Sequence, residues 1–459
     1  MQINPSIFKG YDIRGVYPTD LNEETIIPVV KAIYSFFHKD KPENEALTIV
    51  IGTDMRISSP SLTKKAIETL VELGAHVIDI GIVSTPTFYF AVSHYNYECG
   101  LQITASHNPK EWNGIKMVKN SKNGLIKIGK TTGIDEIKKM SINNESIKAI
   151  SGGKIEKKEG IIETEIENSI KIAGNPEIKE FKIVADPGNA MGSQYINALF
   201  EKIPGNLIRM NFELDGTFPA HQPDPLQAQT LVDLQKKVVA ENANLGLAPD
   251  GDGDRLFFID EKGNIVPPTI ITSIVAKELL SSNPNETILV DIRYLLTPKE
   301  IIKENGGQMQ IVKVGHAFIT ETMHKTRAIF GGESSGHYFF RDTGNAESQM
   351  PIILIVLKVM TKTGKTMSQL VDDYRRSFES GEFNFKVQNS SEIMNKLKEK
   401  YIDGTLDTMD GIAISYSNWR FSVRTSNTEP LLRLNVESLD KSTMEKKKYE
   451  LVKFIKSYN

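Results

Sequence analysis

Four short stretches of this chain gather side chains that could do chemistry. In "ITASHNPKEWNGIKM" (103–117) a hydroxyl, an imidazole and an amide, Ser106, His107 and Asn108, stand just before Pro109, and Lys116 lies seven residues beyond that proline. Ser106 could act as a nucleophile, with His107 and Lys116 as proton carriers. A solvated turn would hold the same residue types, so this stretch alone leaves both readings open.

"APDGDGDRLFFID" (248–260) sets Asp250, Asp252 and Asp254 at alternate positions with glycines between them. Three hard carboxylates on a glycine-flexed loop can turn onto one hard cation such as Mg²⁺. Without a cation they would repel one another, unless the stretch is only a solvated acidic turn. An EF-hand is a rival, since Glu261 falls at the twelfth position from Asp250. It is rejected because the sixth position is Arg255 instead of glycine, and because "LFFID" reads as a strand where an exit helix is required. A guanidinium beside a metal loop suits a phosphate that the metal also touches, which gives Arg255 a second interest.

In "FGGESSGHYFF" (330–340), glycines let the backbone approach a ligand, and Glu333 and Ser335 offer an acceptor and a hydroxyl suited to two sugar hydroxyls. His337 offers an imidazole that could move a proton, although a lone histidine in a glycine-rich turn is often structural. In "VRTSNTEPLLRL" (423–434), Arg424, Ser426, Asn427 and Thr428 form a run of donors fit to cradle a phosphate. A capped β-turn favours Ser, Asn and Thr equally. The flanking Arg424 and Arg433 tilt this stretch toward an anion.

The elements that must position these loops repeat. "LTIVIGTD", "FKIVADPG" and "TILVDIR" each run a short β-branched strand into an aspartate (Asp54, Asp186, Asp291), then a loop, then a helical stretch. Continuous apolar strands followed by helices predict βαβ units buried on both faces, and the spacing predicts three similar α/β domains. The polar, glycine-rich "SINNESIKAISGGKIEKKEG" (141–160) reads as a first linker, and "TKTGKTMSQ" (361–369) opens toward a different last unit. There, strands alternating at period two around one amphipathic helix and a closing Lys-rich helix predict a β-α-β-β-β-α domain. Its antiparallel sheet is expected to be half solvated, with Leu451, Val452, Ile455 and Tyr458 on one side of the last helix.

Composition excludes several classes. The 459 residues carry 55 Lys+Arg against 58 Asp+Glu, a net charge of -3, so no global field draws the chain to nucleic acid or an anionic membrane. The most apolar run, "PIILIVLKVM" (351–360), is broken by Lys358 and is too short to span a bilayer, and the N-terminus lacks a signal-peptide core. A single cysteine allows no internal disulfide, consistent with a reducing cytoplasm.

Taken in order, TASHNP, DGDGDR, GESSGH and RTSNTEP resemble the α-D-phosphohexomutase superfamily, and within it the phosphomannomutase/phosphoglucomutase group; the resemblance runs from "KGYDIRG" to "RTSNTEPLLRLNVES". It implies three related mixed α/β domains and a C-terminal TATA-binding-protein-like α+β domain around a central cleft. The expected domains are 1–152 with the phosphoserine loop, 153–256 with the metal loop, 257–372 with the sugar loop and 373–459 with the phosphate loop. It implies a reversible transfer between C1 and C6 of mannose or glucose phosphates, through a phosphorylated Ser106 and a hexose 1,6-bisphosphate that also serves as activator. Mg²⁺ would be held by Ser106, Asp250, Asp252 and Asp254. Arg14, Arg255 and Lys116 would supply positive charge, Lys116 and His337 would carry protons, and His107 would stand beside the phosphoserine. Lys116 would need its pKa lowered by neighbouring cations to act as a base. Tyr11, Glu333 and Ser335 would face the sugar, and Arg424, Ser426, Asn427 and Thr428 its phosphate.

Two departures stand out. After "GHYFF" the family continues to an Asp-Gly pair, whereas this chain has "RDTGNAESQM", which reads as shortened or rebuilt. At "DIRY" Arg293 replaces the family's lysine, and a bulkier, forked guanidinium could shift substrate preference. "SNTEP" favours mannose and glucose phosphates over the phosphoglucosamine mutase subgroup, where "SGTEP" is expected. A non-catalytic sugar-phosphate binder would not need Ser106, the three aspartates and Lys116 together, and a phosphoserine hydrolase would need water at Ser106. Monomer and homodimer are both compatible with the composition.

Overall fold

The computed structural model describes residues 3–145, 148–425 and 431–458. Two compact units result: Met1–Val266 with Ser335–Ser368, and Pro267–Ser334 with Gln369–Asn459.

The first unit holds two mixed sheets. In one, Thr48–Thr53 pairs in parallel with His76–Ile82 and Cys99–Ile103, and Cys99–Ile103 turns back antiparallel into Trp112–Lys119. In the other, Lys182–Ala185 lies parallel to Asn206–Arg209 and Leu245–Pro249, and the latter turns back antiparallel into Leu256–Asp260. Both central strands are buried on both faces beneath helices, as their unbroken apolar runs predict. The second unit repeats the parallel core, Thr287–Asp291 lying between Gln308–Val312 and Phe330–Gly332. The three-fold repeat read from the sequence is therefore a repeat of structure.

Each repeated aspartate closes the same turn. Asp54, Asp186 and Asp291 accept hydrogen bonds from the backbone N–H groups of Arg56, Gly188 and Arg293 at 3.0, 3.0 and 2.8 Å. An Asx-type turn satisfies the amide that the chain exposes as it leaves the strand.

Three expectations change. The stretch 141–160 is not simply a linker: Lys154–Lys157 adds an exposed edge strand to the first sheet, parallel to His76–Asp79. The polar sequence hid it because an edge strand needs no apolar face. The last domain has one strand more than predicted, since Thr405–Asp407 extends its antiparallel sheet; the sheet order is Phe378–Phe385, Leu432–Ser438, Trp419–Thr425, Ile412–Ser415, Thr405–Asp407. This sheet is also not half solvated, because its two central strands are buried almost throughout. Its polar side packs on the segment after Asp291: Arg420 donates to the Arg293 carbonyl at 2.8 Å, and Glu437 accepts from the Leu295 and Leu296 amides at 2.8 and 2.9 Å. Period-two alternation finds the two faces of a sheet but does not say that the polar one meets water. On the closing helix Leu451 and Ile455 are buried, whereas Tyr458 is exposed.

The departure at 341–350 is built as a 3₁₀ turn, Arg341–Thr343, and a short strand, Ala346–Glu347. It is tied to the first unit by the Leu125 amide, which donates to the Gly344 carbonyl at 2.8 Å, and by the buried pair Lys127–Glu347. Among the described residues no helix is long and apolar enough to cross a membrane.

Candidate active site

Because the functional loops follow equivalent strands, the fold brings the first two together within the first unit. Residues 104–111 join Cys99–Ile103 to Trp112–Lys119, and residues 250–255 join Leu245–Pro249 to Leu256–Asp260. Ser106 is buried with a left-handed backbone, φ 51°, unusual for a serine. Its Oγ donates to Asp250 Oδ2 at 3.2 Å and lies 3.1 Å from His107 Nδ1.

Asp250, Asp252 and Asp254 are all buried, and one oxygen from each lies within 4.8 Å of the others. Asp252 Oδ1 is buried without a hydrogen-bond partner, while its other oxygen accepts from Thr85 Oγ1 at 2.6 Å. A buried lone carboxylate oxygen is costly unless something positive meets it. Three hard oxygen donors, one uncommitted, fit a hard divalent cation. The flank confirms the rejection of an EF-hand: Leu256–Asp260 is a strand, and Glu261 turns away to accept from the backbone N–H of Ser368 at 3.1 Å.

Lys116 enters from the returning strand, where it pairs in register with Gln102. Its ammonium lies 2.6 Å from Asp252 Oδ2 and 2.5 Å from Asp254 Oδ2. This corrects the expectation of a lowered pKa: burial pulls the value down, but Asp252 and Asp254 outweigh it and hold Lys116 well above its ordinary value. Its nearest neighbours are carboxylates, not cations. Asp250, lacking a contact with that ammonium, is raised by burial and by the charges of Asp254 and Asp252. His107 is pushed well below its ordinary value by burial, then by Arg255 and Arg14, so its imidazole is neutral beside Ser106.

Arg14 sits on Ile13–Val16 opposite Gly114, gripped by Asp12 at 2.9 Å, and reaches the Ala105 carbonyl at 3.3 Å and the Asn108 side chain. Tyr11 is half-buried two residues before that strand. Arg255 Nε lies 3.4 Å from His337 Nε2, and Arg255 Nη1 lies 3.5 Å from Asp224. His337 Nε2 is 3.3 Å from Asp254 Oδ1, and its Nδ1 is 2.9 Å from Ser335 Oγ. Ser106, His107, Lys116, Arg14, Arg255, His337, Ser335 and the three aspartates thus form one constellation. Glu347, which sequence reasoning missed, joins Asp254 and His337 in a second buried cluster.

Glu333 and Arg424 lie in the second unit. Glu333 is buried and accepts from the Gly315 amide at 2.8 Å. Arg293 is clamped by Asp291 through Nε at 2.9 Å and Nη2 at 3.0 Å, with Glu333 at 3.9 Å. Arg424 and Arg433, directly opposite across their strands, both turn to Glu382, at 3.5 and 3.3 Å, and Arg293 approaches the same carboxylate at 3.9 Å. Three guanidinium groups thus converge on Glu382, a residue that "SGEFNF" gave no reason to suspect. Ser426, Asn427 and Thr428 lie outside the described residues.

The sequence matches four family models in order: phosphoglucomutase/phosphomannomutase alpha/beta/alpha domain I over residues 5–145, domain II over 164–263, domain III over 267–377 and the C-terminal domain over 382–453. Two curated relatives called phosphomannomutase are similar over nearly the whole chain. One, from Methanocaldococcus jannaschii, is 38% identical over 451 residues, covering 98% of this chain and 97% of its own. The other, from Vibrio cholerae, is 35% identical over 460 residues and covers 98% of each. Among solved structures, a phosphoglucomutase/phosphomannomutase family protein from Burkholderia thailandensis superposes with a TM-score of 0.88 at 27% identity, covering 100% of this chain and 98% of its own.

Proposed function

Because this chain belongs to the phosphoglucomutase/phosphomannomutase family, and is accordingly an isomerase of the phosphotransferase kind, we propose that it moves a phosphoryl group between C1 and C6 of mannose and glucose phosphates through Ser106. The observation that carries this reading is the buried Ser106 Oγ, held in a left-handed turn 3.2 Å from one of three clustered carboxylates. A solvated turn would need neither the burial nor the cluster.

In the proposed cycle Ser106 carries a phosphoryl group at rest. The sugar's O6 attacks phosphorus, the O6–P bond forms, the Oγ–P bond breaks, and the proton given up by the O6 hydroxyl is returned to Oγ. The resulting hexose 1,6-bisphosphate reorients, and Ser106 Oγ takes the 1-phosphoryl group back: the Oγ–P bond forms, the O1–P bond breaks and the Oγ proton passes to O1, leaving the 6-phosphate. His337 handles these protons, since Asp252 and Asp254 keep Lys116 charged, and His107 orients the phosphoserine. Phosphoryl transfer asks mainly for positioning and charge, which Arg14, Arg255 and Lys116 supply. A divalent cation, read here as Mg²⁺, would be held by Asp250, Asp252, Asp254 and a phosphoserine oxygen and would neutralise charge on the transferring group. In this reading Glu333, Ser335 and Tyr11 serve the sugar, and Arg424 with Ser426, Asn427 and Thr428 holds the phosphate not in transit. The bisphosphate acts as primer.

The test is an assay with Mg²⁺ on mannose 1-phosphate, glucose 1-phosphate and glucosamine 1-phosphate, primed with a trace of hexose 1,6-bisphosphate. Turnover of the first two over the third is expected, and no isomerisation of any would refute the reading. In parallel, intact mass should show one phosphoryl group on the protein after the primer is added, and none on Ser106→Ala. Uptake by that variant would move the nucleophile elsewhere.

A further inference from the structure

Resting on the reading of Ser106 as phosphoryl carrier, we propose that Arg56 positions that serine by binding the main chain on both sides of it. Arg56 is the largest fully buried side chain of the protein's described residues, and all five of its N–H donors are used. Nη2 donates to the carbonyls of Ser106 at 2.6 Å and Asn108 at 2.7 Å. Nη1 donates to those of Pro109 at 2.8 Å and Trp112 at 3.0 Å, and Nε to Asp54 Oδ2 at 3.2 Å. Four of the five acceptors are thus main-chain oxygens within the seven residues that begin at the nucleophile.

Arg56 is itself held from behind. Asp54 Oδ1 accepts from the Arg56 backbone N–H at 3.0 Å and from Ser59 Oγ at 2.6 Å. Ser58 and Ser59 in turn accept from Asn113 Nδ2 at 2.8 and 3.0 Å, just past the last carbonyl that Arg56 holds. The Phe218 ring lies 5.2 Å from the guanidinium carbon, and Gly216 leaves no room behind it: a Cβ there would stand 2.7 Å from the Arg56 Cα.

The consequence falls on Ser106. A left-handed φ at a serine persists only where its surroundings over-determine it. The Ser106 carbonyl is wedged between Arg56 and Gly251 of the acidic loop, where a Cβ would come within 2.3 Å of that oxygen. With the carbonyl pinned, the Cα–Cβ direction of Ser106 is fixed, and from there Oγ reaches Asp250 Oδ2 at 3.2 Å. Arg56 does not touch Oγ, so it is a positioning residue. A lysine in its place offers three donors from one nitrogen and cannot span four carbonyls.

The test compares wild-type protein with Arg56→Lys in the primed glucose 1-phosphate assay, together with hydrogen exchange of amides 104–112. For Arg56→Lys the expected result is kcat lower by about 10²-fold with KM unchanged within about threefold, because the loop's geometry is lost and substrate contacts are kept. The rate of phosphoryl uptake from the bisphosphate falls in parallel, and exchange across 104–112 rises by about tenfold while the rest of the sheet keeps its protection. A kcat within about threefold of wild type, or a raised KM at unchanged kcat, overturns the proposal, as does unaltered exchange. If Arg56→Lys fails to fold, Asp54→Asn decides by the same readouts, since it leaves the guanidinium in place and removes the carboxylate that orients it. An inactive wild type refutes the mutase reading instead, and exchange at 104–112 still decides whether Arg56 anchors the loop.

Discussion

Glu165 allows a stability prediction with its sign and size fixed by geometry. It lies on the helix Ile161–Ile172, 2% exposed, and its Oε2 has no hydrogen-bond partner. Burial raises its carboxyl from 4.5 to about 7, although a hydrogen bond from Thr87 pulls the other way. The folded protein therefore holds this proton where the unfolded chain has released it. Below 4.5 the group favours folding by its full amount, and that contribution is lost as the pH rises through 4.5 to about 7. The gap of about 2.5 pH units, at about 1.4 kcal/mol each, makes the contribution about 3.5 kcal/mol. Glu165→Gln keeps the shape and cannot ionise. Its melting midpoint should match wild type near pH 4 and exceed it by roughly 7–14 °C at pH 8, taking 2–4 °C per kcal/mol for a domain of this size. Scanning calorimetry at both pH values measures this. A difference between the two proteins that does not change with pH would refute the reasoning. The site has a stake in the result, because the Thr87 helix also carries Thr85, which holds Asp252.

Two further outcomes are expected. Asp252→Asn removes half the charge facing Lys116 and weakens the cluster's hold on a divalent cation, so Mg²⁺ affinity measured by calorimetry should fall by about tenfold or more; unchanged affinity would place the cation elsewhere. Glu382→Gln frees Arg424 and Arg433 from an internal carboxylate, so hexose phosphate and inorganic phosphate should bind severalfold more tightly. Weaker binding would mean that Glu382 organises the arginines instead of competing for them.

Much of the site was legible because its chemistry is carried by residue types at fixed spacing. Three aspartates separated by single glycines, a serine before Asn-Pro, and a Gly-Glu-Ser-Ser-Gly-His run each limit what a loop can do. What sequence reasoning missed has no local signature. Glu347 and Glu382 are ordinary glutamates until the fold sets one beside Asp254 and His337 and the other among three arginines. Arg56 left a trace that could have been followed: Asp-Met-Arg at 54–56 and Asp-Ile-Arg at 291–293 repeat at equivalent turns, and both arginines fold back on their aspartate.

Lys116 lies beyond what sequence can place. Its side chain, 136 and 138 residues from its two partners, meets Asp252 and Asp254 only because the returning strand and the acidic loop converge. A pKa depends on which charges lie within a few ångströms, and chain spacing does not encode that distance. The same reason governs the C-terminal sheet, whose polar face was visible as a period of two while its burial depended on what packed against it. By itself the sequence determined the repeated strand-Asp-loop-helix plan, the four loops and their chemical types, since these follow from local propensity and donor identity. Only the tertiary structure decided which charges face each other, which way Ser106 points, and which polar groups are shut away from water, because those are properties of distance and burial.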